Sequence, residues 1–231
     1  MIDHDAVLFD LDGVLVDSRV PFARSVNRAL TSHGLAARPE HELYQYLGPP
    51  LHRTFRALVG GESLVQPCVD SYRARYREMS ASETVVFLGI SEILESLVDQ
   101  VPLVVATSKP RALAEPLLDA LNLRRFFAAV IGPELDSENE QKAITVGRAM
   151  RELSPKARPV MVGDRKHDIA AAHEHDILAI GVLWGIGSEA ELLTAGADAL
   201  VSTPAELADL LTPSPSQPAT PTPRPHRRWR L

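Results

Sequence analysis

A single cysteine, Cys68, stands in 231 residues. It has no partner for an internal disulfide and no CxxC spacing for zinc, which excludes a stapled scaffold and a thiolate metal site together. Cys68 reads as a small packed side chain. Long apolar runs are also missing: stretches such as 101–106 fall far short of the roughly 20 residues a bilayer crossing needs, so no membrane span is expected. Nor is there an excess of basic charge. The 24 Lys and Arg against 30 Asp and Glu give −6, and four of the arginines (Arg224, Arg227, Arg228, Arg230) sit in 212–231, leaving the body near −10. An acidic body argues against general nucleic-acid binding, because phosphate backbones are held by clustered Lys and Arg. The opening Met1-Ile2-Asp3-His4-Asp5 carries acids where a secretory signal carries basic residues, which predicts a cytoplasmic protein. Internal repeats are absent.

Apolar residues make up 45% of the chain, enough to bury a real core. Between 5 and 211, short apolar runs alternate with amphipathic stretches, the pattern of crossover units building a parallel sheet. The predicted class is α/β: a Rossmann-like parallel sheet core flanked by helices. Strands are expected at 6–10, 101–107, 128–132, 159–164, 178–182 and 199–201, each nearly all apolar, as strands covered on both faces are. Helices are expected at 89–99, 111–121, 140–153, 168–175, 188–195 and 205–211. One interval breaks the alternation: 18–82 has helical periodicity and no buried strand, and reads as an inserted all-helical domain. Residues 1–17 and 83–211 then form the core. From 212 to 231 six prolines among Ser, Thr and Gln replace any period, predicting a disordered Pro/Arg-rich tail.

Ligands of open parallel sheets collect at the carboxyl ends of the strands, and here those ends are polar. The first run closes with Asp10-Leu11-Asp12-Gly13, followed by Asp17-Ser18; the second with Thr107-Ser108-Lys109; a later one with Gly163-Asp164-Arg165-Lys166-His167-Asp168. Two carboxylates two residues apart can point the same way from an extended segment, and Gly13 lets the backbone turn away. Clustered carboxylates call for a divalent cation, and hard oxygen ligands suit Mg²⁺. Lys142 and Thr107 would add positive charge and a hydrogen bond for a phosphoryl group. Asp10 could then serve as nucleophile through an aspartyl-phosphate, with Asp12 as acid and base.

Four motifs in this order, Asp10-x-Asp12-Gly13-x-x-x-Asp17-Ser18, Thr107-Ser108-Lys109, Lys142 and Gly163-Asp164-x-x-x-Asp168, resemble the haloacid dehalogenase superfamily over essentially all of 5–211. The resemblance implies Asp10 as nucleophile and metal ligand, and Asp12 as acid/base lending its backbone carbonyl to Mg²⁺. It implies Thr107, Ser108 and Lys142 on the phosphoryl group, Asp164 as metal ligand and Asp168 as support for the metal site. The helical insertion corresponds to a cap that selects substrate, making Gly48, Pro49, Pro50 and Arg53 specificity candidates. The fragments Leu47-Gly48-Pro49-Pro50-Leu51, Val105-Ala106-Thr107-Ser108-Lys109-Pro110 and Gly181-Val182-x-Trp184-Gly185-x-Gly187-Ser188 are most similar to the phosphoglycolate phosphatase and bacterial 5′-nucleotidase-like group. The expected activity is hydrolysis of a small phosphorylated metabolite, phosphoglycolate or a nucleoside monophosphate, by a monomer or homodimer.

Two other functions fit the same core. A sugar phosphomutase is disfavoured by Phe22, where such relatives tend to carry a cap histidine. A catalytically silent scaffold is disfavoured by the complete reactive set. His167, His173 and His175 read as solvent-facing, Trp184 as loop packing, and Arg73, Arg75 and Arg77 as a solvated helix face.

Overall fold

The structure, a computed structural model, describes residues 2–135, 137 and 140–212. Six parallel strands form its sheet: β1 (Ala6–Phe9), β4 (Leu103–Ala106), β5 (Ala129–Ile131), β6 (Pro159–Gly163), β7 (Leu178–Val182) and β8 (Ala199–Val201), in the order β5-β4-β1-β6-β7-β8. Successive side chains of a strand face opposite ways, so a strand covered on both faces must be apolar throughout. In β1, Val7 and Phe9 pack with α5 (Ile90–Leu97), α6 (Arg111–Ala120) and α10 (Pro204–Leu211). Leu8 faces α7 (Lys142–Met150), α8 (Lys166–His173) and α9 (Glu189–Thr194). Emptying such a site, Phe9→Ala for example, would cost about 3–5 kcal/mol. Among the described residues, no helix is long and apolar enough to cross a membrane.

The helices α1 (Arg19–Ser32), α2 (Glu40–Leu43), α3 (Leu51–Leu58) and α4 (Val65–Glu83) bury a separate cluster that includes Phe22, Val26, Leu30, Phe55, Val69, Tyr72 and Tyr76. Tyr72 stacks on Tyr76 at 5.3 Å between ring centres and meets Phe22 edge-on at 5.8 Å. A ribbon that periodicity does not reveal joins this segment to the sheet: β2 (Val16–Asp17) pairs antiparallel with β3 (Val85–Val86) through Val16↔Val86 and Asp17↔Val85. Two residues per strand are too few to register as alternation.

The sheet and helices answer to the expected elements with small shifts at their ends. The 140–153 helix starts at Lys142. The 168–175 helix starts at Lys166, because the Asp168 carboxylate reaches back to accept the Arg165 N–H and closes a capping box. Of the arginines read as a solvated face, only Arg77 fits: Arg75 pairs with Glu83 at 2.8 Å and reaches Ser25, and Arg73 donates to the Leu135 carbonyl. The predicted tail lies, from 213 onward, outside the described residues.

Candidate active site

The parallel register sets the site. Phe9 lies opposite both Val105 and Val162, so the residues just past β1, β4 and β6 emerge side by side. Asp10 extends the ladder, its N–H donating to the Val162 carbonyl at 2.9 Å. The chain then turns at Gly13, whose φ of +89° strains any other L-residue, and a Cβ there would overlap the Asp164 carboxylate. Gly187 is constrained likewise, since its Cβ would strike the Asp164 carbonyl. The loops carrying these two glycines therefore close tightly on Asp164.

Two lysine-centred groups result. In the first, Lys142, the first residue of α7, places Nζ 2.7 Å from Asp10 Oδ1 and 2.7 Å from Asp168 Oδ1. Carboxylate oxygens of Asp10, Asp164 and Asp168 lie within 4.8 Å of one another, all buried. Burial pushes Asp10 up to about 6, against the opposing pull of Lys142. Asp164 is fully buried and held well above the ordinary carboxylate range, first by desolvation and then by the charges of Asp168 and Asp10. Burial works against the Lys142 charge, but the two carboxylates outweigh it and leave the ammonium above its ordinary value. Asp164 Oδ2 accepts the Ile186 N–H at 2.7 Å, while Oδ1 accepts nothing from the described residues. An orphaned buried carboxylate oxygen beside two more carboxylates, with one ammonium among the three, is an oxygen donor set that fits a hard divalent cation such as Mg²⁺.

The second group surrounds Asp12. Lys109 Nζ lies 2.6 Å from each Asp12 oxygen and 2.7 Å from Tyr76 Oη, and Ser18 Oγ also donates to Asp12 Oδ1. Thr107, at the end of β4 and buried, accepts the Lys109 N–H at 3.1 Å, which fixes the loop through Ser108. Sequence reasoning quoted Lys109 in a motif but gave it no role. The available signal was its place two residues beyond Thr107.

Asp10, Asp12, Thr107, Ser108, Lys142 and Asp168 line one cavity of about 380 Å³, with Asp164 buried behind it. Gly48, Pro49, Pro50 and Arg53 line the opposite wall from the helical segment. Arg165 links the two sides, donating to the Leu47 carbonyl at 2.8 Å and pairing with Glu191 at 2.9 Å. His167 is exposed at the cavity, His173 meets Asp198, and His175 meets the Ala143 carbonyl. Trp184 Nε1 donates to the Val14 carbonyl at 3.1 Å, tying its loop to the one that carries Asp12.

The family model described as haloacid dehalogenase-like hydrolase matches residues 7–182. The chain belongs to this family. A 5′-nucleotidase of Pseudomonas aeruginosa is 38% identical over 189 residues, 80% of this chain and 86% of that protein. A phosphoglycolate phosphatase of Chromobacterium violaceum is 33% identical over 217 residues, covering 89% and 96%. A tyrosine-protein kinase, PtkA of Mycobacterium tuberculosis, is 38% identical over 184 residues, 78% of this chain but 62% of the longer protein. The crystal structure of a predicted phosphatase from Clostridium acetobutylicum superposes with a TM-score of 0.83 at 33% identity, over 90% of this chain and 97% of that one.

As a haloacid dehalogenase-like hydrolase the chain is an enzyme, and its acidic strand ends belong to a recognisable chemical class. What the family likeness does not supply is the pairing of side chains around Asp12. Those contacts join loops and helices far apart in sequence.

Proposed function

We propose that this chain hydrolyses the phosphomonoester of a small metabolite, of the phosphoglycolate or nucleoside monophosphate type, through an aspartyl-phosphate on Asp10. The observation that carries the reading is the convergence of Asp10, Asp164 and Asp168 within 4.8 Å, with Lys142 reaching Asp10 and Asp168. Mg²⁺ would be held by Asp10, Asp164 and the Asp12 carbonyl, with Asp168 as support, and would supply positive charge against the phosphoryl oxygens. Lys142, Thr107 and Ser108 orient the phosphoryl group in line with Asp10. Asp10 attacks phosphorus as Asp12 protonates the leaving oxygen. Asp12 then takes a proton from water, which releases phosphate and restores Asp10. Positioning and charge stabilisation do most of the work in such transfers. Gly48, Pro49, Pro50 and Arg53 meet the part of the substrate beyond the phosphate.

The direct test is turnover of a panel of phosphomonoesters, including phosphoglycolate and nucleoside monophosphates, with Mg²⁺ and with chelator, ranked by kcat/KM. Hydrolysis that persists unchanged in Asp10→Asn would sink the nucleophile assignment. A second reading, transfer of the phosphoryl group to a protein tyrosine, rests on the relative named PtkA. It would appear as labelled tyrosine after incubation with ATP, without release of phosphate from small esters.

A further inference from the structure

We propose that Lys109 is a positioning residue that ties the Asp12 carboxylate to the helical segment through Tyr76, so that the acid/base is aimed only while α4 is seated over the sheet edge. The chemical side of this inference rests on the hydrolase reading above. An ammonium has three N–H bonds to give, and each finds an acceptor: Asp12 Oδ1 at 2.6 Å, Asp12 Oδ2 at 2.6 Å and Tyr76 Oη at 2.7 Å. The charge also lies 4.8 Å from the centre of the Tyr76 ring. The Lys109 side chain is 7% exposed and that of Asp12 11%, so solvent does little to screen the pair.

Each end of the bridge is anchored. Tyr76 is clamped by stacking on Tyr72, which in turn meets Phe22 and Phe55 edge-on inside the helical cluster. Asp12 sits on the loop between β1 and β2, and the Lys109 backbone is fixed by Thr107 Oγ1. One side chain therefore spans three segments: the Asp12 loop, the loop after β4, and α4. Lys142, by contrast, pairs with Asp10 and Asp168, both beside the sheet edge. If Lys109 is shortened or neutralised, Asp12 keeps, among the described residues, the Ser18 hydroxyl alone, and its direction toward a leaving oxygen is no longer fixed. A misplacement on the order of 1 Å costs about 100-fold in rate.

The test separates aim from general damage by the leaving group. p-Nitrophenolate departs without taking up a proton, whereas the oxygen of an alkyl ester must be protonated as it departs. With the full chain and Mg²⁺, kcat/KM is measured for p-nitrophenyl phosphate and for an alkyl phosphate in wild type, Lys109→Met, Lys109→Arg and Tyr76→Phe. Lys109→Met is expected to lose roughly 100-fold on the alkyl ester and several-fold less on the aryl ester. Tyr76→Phe should show a smaller loss with the same bias, and Lys109→Arg should recover part of it. Equal losses on both esters would overturn the proposal. If Lys109→Met fails to fold, the Tyr76→Phe and Lys109→Arg ratios decide.

A wild-type chain that turns over neither ester removes the hydrolase reading, and melting of Lys109→Met, Tyr76→Phe and the double variant then decides the tie without turnover. A double loss smaller than the sum of the single losses supports it, and simple additivity overturns it.

Discussion

Two lysine–carboxylate groups lie at one sheet edge, and they differ in balance. Around Lys142, three buried carboxylates gather near one ammonium, which pairs with two of them; around Lys109, the ammonium meets one carboxylate and the Tyr76 hydroxyl, and that carboxylate also accepts from Ser18. The first group is short of positive charge, and burial first, then the neighbouring carboxylates, push Asp10 and Asp164 toward their neutral forms. The second is satisfied as it stands. On the proposed reading, the crowded group receives a cation and an anionic substrate, and the balanced one holds a side chain at a set angle. Substitution offers the sharpest contrast. Asp10→Asn removes the proposed nucleophile and should reduce kcat by roughly 10⁴-fold or more. Asp12→Asn should cost roughly 10²–10⁴-fold, with the larger part on esters of poor leaving groups. Similar losses on every ester in both variants would erase the distinction between the groups.

Metal dependence comes next in size. Saturating Mg²⁺ should raise the melting temperature of the wild type by roughly 5–10 °C. Asp164→Asn should abolish that rise while leaving the metal-free protein as stable or more so, because it deletes a charge that burial disfavours. A metal-free Asp164→Asn protein that melts well below wild type would mean that Asp164 serves the fold more than the cation.

The pH dependence has a definite sign. Asp10 stands at about 6 in the fold against an ordinary 3.8, so the native chain holds a proton that the unfolded chain has released. Stability of the metal-free protein therefore falls as pH rises from about 4 through about 6. Mg²⁺ needs the ionised carboxylates, so its stabilisation should grow across the same window. Melting curves at pH 5 and pH 7.5, with Mg²⁺ and with chelator, check this. An equal shift at both values would place the cation away from Asp10.

The balanced group was also the less legible in sequence, for a physical reason. Asp10, Thr107 and Asp164 each end an apolar run of strand length, so periodicity alone brings them to one edge, and the pairing of Phe9 with Val105 and Val162 does the same in space. Lys109 lies two residues beyond that signal. Its partner Tyr76 reads as an ordinary core position of an amphipathic helix, and nothing local says that its hydroxyl reaches across to a loop 33 residues away. The β2–β3 ribbon and the hold of Arg165 on Leu47 are hidden alike, one too short to show a period, the other a backbone contact across 118 residues. Strand ends follow from local pattern, whereas contacts between the helical segment and the sheet depend on how two separately packed clusters settle together.

Ser18→Ala gives the smallest expected effect and probes the balanced group most directly. Ser18 is fully buried and donates to Asp12 Oδ1, an oxygen that also receives Lys109. Removing the hydroxyl deletes one hydrogen bond to a carboxylate, worth about 1.5 kcal/mol at the low end for a charged acceptor, yet leaves both Asp12 oxygens paired with the ammonium. kcat/KM for an alkyl phosphate should therefore fall only about 10-fold, with the metal-induced melting shift unchanged. A loss as large as that of Lys109→Met would mean that Asp12 is aimed from the Ser18 side, at the root of α1, and that Lys109 merely neutralises its charge.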